Sequence, residues 1–204
     1  GCDFLTDICL FNFRLNNETY SLKPGNYNTK VALRTLCEAM VKASCEILDI
    51  SPDELIAEFR TALTNSGRNG QEAEIFIYDT LPGGAGFSQK LKKIPNELLD
   101  RTLKILQSCE ADCDSSCYYC LQSFKNKDYH SLLDRFSGIE LLKYLLNDEI
   151  PDLPEKRKKL AYNMLFFDLS RQGDLSDITL NKNFNINGHE FIAPLVVERN
   201  NETY

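Results

Sequence analysis

Residues 109–120 read Cys-Glu-Ala-Asp-Cys-Asp-Ser-Ser-Cys-Tyr-Tyr-Cys and contain four of the eight cysteines of the chain. Four thiolates satisfy the tetrahedral coordination that zinc prefers, and the stretch ends in a C-x2-C pair typical of a metal knuckle. Turn-forming residues at 114–116 can reverse the chain between its two halves. The stretch therefore predicts a local zinc site whose metal supplies folding energy that so short a segment lacks. The predicted ligands are Cys109, Cys113, Cys117 and Cys120.

Three other interpretations of this cluster remain open from the residues alone. An iron–sulfur cluster also takes four cysteines, disulfides would need an oxidising compartment, and four free thiols would need no metal. The chain has no apparent secretion signal, which favours metal ligands in a reducing, cytoplasmic compartment. His130 and His189 lie outside the cluster, and we interpret both as surface residues.

Upstream of the cluster, apolar periodicity predicts alternating strands and helices. Strands are expected at 3–15 and 74–79, and helices at 29–48 and 95–108. Residues 3–15 have apolar side chains at both parities, so we expect both faces of that strand to be covered.

Two further upstream segments complete this pattern. Residues 51–60 begin like a helix capping box but then alternate like a strand, and we favour the strand. Residues 65–71 are polar and contain glycine, which predicts a loop.

Downstream of the cluster, helices are expected at 131–146 and 155–167, with prolines at 151 and 154 marking a linker. Alternating runs then flank Asn187-Gly188, the strongest short signal for a β-hairpin. We expect an α+β fold: a small mixed sheet with amphipathic helices, a four-cysteine zinc knuckle and a C-terminal β-hairpin. Residues 1–148 would form a zinc-binding domain and residues 149–204 a helix-plus-hairpin extension.

The composition limits the class of function. The net charge is −7 and the pI is about 5.0, which argues against a protein that wraps nucleic acid over a broad surface. No apolar run approaches the roughly 20 residues of a membrane helix, so no membrane partner is expected. The start of the chain suggests a fragment of a larger protein.

The motifs on both sides of the cluster resemble a known family. They are Phe4-Leu5-Thr6-Asp7, then the stretch from Ile75 to Gly86 (IFIYDTLPGGAG), then a helix, then Cys113 to Ser123. In this order they resemble the MZB-type zinc-binding domain found C-terminal to Superfamily 2 DEAD/DEAH helicases of the mitomycin-repair type. The family also occurs in a component of the DISARM phage-defence system. The resemblance extends from about residue 2 to residue 146.

This resemblance implies a zinc site on the same four cysteines and an accessory role in a DNA-translocating helicase, with motor domains in the same or a partner chain. Two departures put the fold of the knuckle in doubt more than the metal. The first two cysteines are separated by three residues where the family commonly has one, and Ser116 stands where glycine is frequent.

Basic and aromatic residues on both sides of the cluster are candidates for contact with single-stranded DNA, because charge and stacking together bind a single strand. The candidates are Lys90, Lys92, Lys93, Lys125, Lys127, Tyr118 and Tyr119. The alternative is an ordinary solvated helix face, which is also our interpretation of the basic run at 156–159. We expect a folded knuckle to bring the two lysine groups together. A protein-interaction module without DNA contact remains the second candidate function.

No catalytic or nucleotide-binding site is expected in this chain. Gly83-Gly84-Ala85-Gly86 follows a strand, but no Gly-Lys-Ser/Thr follows it, so it is not a Walker A loop. A tight turn is the favoured interpretation over a phosphate site. Asp7 and Asp79 have no third acidic partner at a recognisable spacing, so we assign them hydrogen-bonding roles. The chain alone is predicted to be no enzyme, within a parent that is an ATP-dependent DNA helicase or its partner.

Overall fold

The computed structural model describes residues 4–15, 21–62, 72–149, 152–171, 177–199 and 202–203. The chain divides into two compact units, Gly1–Pro151 and Asp152–Tyr204. Among the described helices, none has both the length and the apolarity needed to cross a membrane.

The first unit contains a three-stranded antiparallel sheet and helices. The strands are β1 (Ile8–Arg14), β2 (Leu55–Thr61) and β3 (Glu72–Asp79), and β3 lies between the other two. Ile75 of β3 is paired with Phe11 on one side and Phe59 on the other. This row lies on the face of the sheet that belongs to the hydrophobic core.

One face of this sheet is open, which corrects the expectation that β1 is covered on both sides. Cys9 and Phe13 are buried, whereas Ile8 and Leu10 on the opposite face are 47% and 48% exposed. The reason is that core packing reaches only one side of the pleat, so the alternate residues of β1 remain at the surface. Ile56 of β2 lies in the same row as Ile8 and is also exposed.

The longest helix, α1 (Tyr27–Leu48), confirms the helix predicted at 29–48. It begins because the Asn26 side chain accepts a hydrogen bond from the amide of Asn28 at 3.0 Å. It ends at Asp49, which has a left-handed conformation with φ of 52°. Most of its apolar stripe is buried, and the helix contacts β2 and β3.

Residues 51–54 form a turn rather than a helix start, so the strand interpretation of 51–60 is confirmed as β2. The expected loop at 65–71 lies outside the described residues. A short helix that the sequence analysis missed, α2 (Phe87–Leu91), follows the glycine turn and contacts β1 and β3.

Two longer helices pack against α1. Helix α3 (Pro95–Gln107) has proline in its first turn and confirms the predicted helix. The helix predicted at 131–146 begins later, as α4 (Arg135–Asn147), because Asp134 caps it by accepting from the amide of Phe136 at 3.1 Å. A 3₁₀ helix precedes it at Lys127–Leu132.

The second unit consists of α5 (Glu155–Ser170), β4 (Asp177–Ile186), β5 (His189–Arg199) and the short β6 (Glu202–Thr203). Asn187 and Gly188 connect β4 to β5 with φ of 54° and 85°, the two positive values that a type I′ turn requires. The predicted hairpin and the α+β class are therefore confirmed, but the sheet expected to be mixed is antiparallel, as is the second described sheet.

Candidate metal centre

The cysteine segment leaves the end of α3 and folds back through two tight turns. Asp112 has a φ of 42°, and its amide donates to the carbonyl of Cys109 at 3.0 Å. The carbonyl of Cys117 then accepts from the amides of Cys120, Leu121 and Gln122 at 2.9–3.1 Å. These turns bring the two cysteine pairs face to face.

The four sulfur atoms form a compact group. The Sγ atoms of Cys109 and Cys113 are 3.6 Å apart, and those of Cys117 and Cys120 are 3.8 Å apart. Across the two pairs, the distances are 3.5 Å between Cys109 and Cys117 and 3.7 Å between Cys113 and Cys120. Zinc bound at about 2.3 Å by four thiolates has sulfur–sulfur edges of about 3.8 Å. The arrangement therefore fits one tetrahedral ion.

The same distances decide between the interpretations that the sequence left open. A disulfide needs two sulfurs about 2.05 Å apart, and every described cysteine is a free thiol. An iron–sulfur cluster places several irons and sulfides between its cysteines, and the space inside this group holds a single ion. Within the described part of the chain, these cysteines form the one group of three or more potential metal ligands.

The protonation chemistry of the thiols also favours a cation at their centre. Burial opposes ionisation of Cys109, but hydrogen bonds from the Cys113 backbone and the Cys117 thiol lower its pKa to about 6. The pKa of Cys113 is raised, first by burial and then by its sulfur neighbours. A divalent metal removes the repulsion between neighbouring thiolates and allows all four to ionise.

The other described cysteines belong to the core. Cys9, Cys37 and Cys45 are buried, and burial is the largest cause of the raised pKa of each. Raised values keep these thiols protonated and inert. This contrast separates the structural cysteines from the ligand cluster.

Two cationic side chains that the sequence analysis did not select reach the cysteine segment. Arg135 donates from Nε to the carbonyl of Cys113 at 3.0 Å and from Nη2 to Asp112 at 2.9 Å. Lys42 donates from Nζ to the carbonyl of Cys120 at 2.6 Å. The sequence did contain a signal for such partners. Residues 109–120 contain no Lys or Arg of their own, so any cation beside them must come from another part of the chain.

Aromatic side chains surround the centre on its outer side. Tyr118, Tyr119 and Phe124 are 67%, 68% and 79% exposed. Lys127 lies with its Nζ 5.0 Å from the centroid of the Phe124 ring, and Tyr118 packs edge-on against His130. This side of the molecule thus combines exposed rings with one of the predicted lysines.

The two lysine groups have different neighbours in the structure. Lys90 follows the glycine turn in α2, where it packs over the Phe87 ring, and Lys92 lies close enough to Cys9 of β1 to influence its ionisation. Lys125 forms an ion pair with Asp53, just before β2. β1 and β2 are edges of the same three-stranded sheet, so these neighbours do not decide whether the knuckle joins the two groups, and that expectation stays a prediction.

The amides that surround Asp79 at the glycine turn already donate to its carboxylate. None of these amides is therefore available to bind a phosphate. The carboxylate of Asp79 accepts from the amides of Ala85, Phe87 and Ser88 at 2.7, 3.0 and 2.8 Å. Gly84 has a φ of 78°, which disfavours other residues, and a Cβ atom there would also lie 2.5 Å from Oδ2 of Asp7. Asp7 also accepts from Gln89, and the hydrogen-bonding roles expected for both aspartates agree with these contacts.

Comparison with known proteins gives a family match over the centre of the chain. Residues 36–121 match the family model described as the MrfA Zn-binding domain, MZB. This range includes all four cysteines and is narrower than the region of about 2–146 expected from the motifs.

Two curated proteins are similar to the chain. Druantia protein DruE of Escherichia coli (strain UMEA 4076-1) is 34% identical over 156 residues, which are 74% of this chain and 8% of DruE. Uncharacterized protein MJ1572.1 of Methanocaldococcus jannaschii is 34% identical over 76 residues, which are 37% of this chain and 66% of that protein. The chain thus spans a small part of DruE.

Comparison of the chain with the crystal structure of the DUF1998 helicase MrfA bound to DNA and AMPPNP gives a TM-score of 0.45 and 12% sequence identity. The alignment covers 67% of this chain and 15% of that one. The family match and the four-cysteine geometry agree on the cofactor, which is zinc. The chain therefore contains an MZB-type zinc-binding domain.

Proposed function

We propose that this chain is the zinc-binding accessory domain of a helicase-like DNA repair or phage-defence protein of the cytoplasm. The observation that carries the proposal is the coincidence of the family match with four sulfur atoms that lie within 4.8 Å of one another. The proposed ligands are Cys109, Cys113, Cys117 and Cys120. Residues 149–204 are proposed to be a helix-plus-hairpin extension specific to the family.

The zinc acts as a structural element in this proposal. Four thiolates fill the coordination sphere and leave no open position for a water molecule or a substrate. Closed sites of this kind contribute folding energy rather than chemistry. The chain itself is therefore proposed to be non-catalytic, and any ATP hydrolysis belongs to motor domains in the same or a partner chain.

We further propose a contact with single-stranded DNA beside the zinc. The exposed rings of Tyr118, Tyr119 and Phe124 offer stacking surfaces, each worth about 1–3 kcal/mol per base. Lys127 supplies positive charge at the same place. Lys90, Lys92 and Lys93 would add positive charge on the β1 side, while Lys125 contributes less because it is paired with Asp53.

A protein-interaction module without DNA contact is the second candidate. It is favoured by the open sheet face, where Ile8, Leu10 and Ile56 are exposed beside one another. Such a patch on a chain with a net charge of −7 suits a protein partner better than a polyanion. The motor domains named above would be that partner.

Titration of a fluorescent single-stranded oligonucleotide at low and moderate salt separates the two candidates. Replacing Tyr118 and Tyr119 with Ala should weaken binding at least about tenfold if two bases stack there. Replacing Lys156 and Lys159 with Glu serves as a control, because these residues lie in the other compact unit. Absence of binding at low salt, or equal loss in both variants, would reject the DNA contact and favour the interaction module.

A further inference from the structure

The cysteine segment contains much more negative than positive charge. Residues 109–120 include Glu110, Asp112 and Asp114 and no Lys or Arg. Zinc bound by four thiolates adds a complex with a net charge of roughly −2. In a partly buried site such a charge is costly unless cations lie nearby. These cations must come from other elements of the fold.

Arg135, at the start of α4, binds the first half of the segment. Its side chain is only 6% exposed. Besides its bonds to Cys113 and Asp112, it donates from Nη1 to the carbonyl of Gln107 at 3.4 Å. Its own amide donates to the carbonyl of Ser115 at 2.8 Å. Arg135 thus forms hydrogen bonds at four positions of the segment that contains Cys109 and Cys113.

Lys42 of α1 binds the second half. Its Nζ atom donates to the carbonyl of Cys120 at 2.6 Å and to that of Tyr119 at 3.3 Å. The acidic residues one turn away on α1 have other partners, since Glu38 pairs with Arg34 and Glu46 with Arg101. Carbonyl groups satisfy the hydrogen bonds of an ammonium group without neutralising it, so its charge remains available to the thiolates.

We propose that Lys42 and Arg135 form a cationic clamp that compensates the charge of the zinc–thiolate centre and fixes its two halves in place. Both act as positioning residues through the backbone carbonyls next to the cysteines. The two helices that carry them are held in register, because the amide of Asp134 donates to Oγ1 of Thr35 at 2.9 Å. This inference rests on the proposed zinc site and assigns residues that the cysteine pattern does not.

The test measures metal retention separately from folding. Zinc-loaded wild type and the variants Lys42→Gln and Arg135→Gln are mixed with 4-(2-pyridylazo)resorcinol, and zinc release is followed by absorbance. Each variant should release zinc about tenfold faster or more, the loss typical for groups that support metal ligands. Cobalt-substituted protein should show a matching shift of the thiolate-to-cobalt band. Lys42→Arg should retain zinc as the wild type does, because the positive charge is kept.

Arg60→Gln is the matched control. Arg60 also forms an ion pair in the first unit, but its Nε pairs with Glu74 at 2.6 Å in the sheet and not with the cysteine segment. It should lower the urea midpoint while leaving zinc release unchanged. Equal release from the control and both clamp variants, or wild-type release from Lys42→Gln, would overturn the clamp. If Arg135→Gln does not fold, Lys42→Gln decides alone. A wild-type chain without zinc would instead contradict the proposed function.

Discussion

At the scale of single residues, Asp79 shows how one carboxylate organises a turn. Burial opposes its ionisation, but hydrogen bonds from Ser88, Ala85 and Phe87 outweigh burial and lower the pKa of the carboxyl below its usual value. The negative charge thus occupies the place at the start of α2 where an external anion would bind. The sequence predicted the turn and a hydrogen-bonding role for Asp79, but not which amides its carboxylate accepts from, because these amides reach it only after the chain folds back.

Replacing Asp79 with Asn should destabilise the protein by about 1–3 kcal/mol at neutral pH, because buried amides lose their charged acceptor. A carboxyl with a lowered pKa stabilises the fold above its unfolded pKa of about 3.9 and loses that contribution as the pH falls. The difference from wild type in urea titrations should therefore shrink below pH of about 4. Asp100→Asn, on the exposed side of α3, should change little at any pH. A pH-independent difference would contradict this account.

At the scale of elements, the long helices and the hairpin followed from sequence, because apolar spacing and Asn187-Gly188 are local signals. Helix α2 and the boundaries of α4 did not, since five residues carry little periodicity and Asp134 acts as a cap only in the folded geometry. The four proposed ligands could be predicted for the same reason, because they lie within twelve residues. Lys42 and Arg135 could not be predicted, because they lie 78 and 22 residues from the carbonyls that they bind.

The contact between α4 and its neighbours gives a prediction at this scale. A Cβ atom at Gly138 would lie 2.8 Å from Cγ2 of Thr35 and 3.2 Å from Cδ2 of Leu106. Gly138→Ala should therefore cost about 1–3 kcal/mol in urea unfolding through overpacking. Gly25→Ala is the control, because nothing lies within 4 Å of its added atom. An unchanged urea midpoint for Gly138→Ala would mean that α4 can move away from α1 and α3 without a loss of stability.

The cysteine segment gives a second prediction at this scale. Cys117→Ser should release the zinc and open residues 108–121 before the sheet, because the metal replaces core packing there. Hydrogen–deuterium exchange should show faster exchange at the amides that bond to the Cys117 carbonyl, with β3 still protected. Ser115→Ala, an exposed change in the same loop, should exchange like wild type. Uniform loss of protection throughout the sheet would show that the zinc supports the whole unit.

At the scale of the whole molecule, the chain combines a four-cysteine zinc site with binding surfaces that are proposed above. We therefore predict no DNA-stimulated ATP hydrolysis by the purified chain, because it has no phosphate loop with a lysine. A coupled ATPase assay with and without single-stranded DNA tests this. Activity that survives successive chromatographic steps in constant ratio to the protein would contradict the prediction.

The closeness of the four cysteines along the chain also has a consequence for the order of assembly. Closing a loop of about ten residues takes only about 10–100 ns, whereas β1 must find β3 over a much longer stretch, with Ile8 opposite Tyr78. The metal can therefore be captured while the sheet is still unformed, and α4 then closes over a knuckle that already exists. In stopped-flow refolding with cobalt, the thiolate band should appear before the circular dichroism of the sheet.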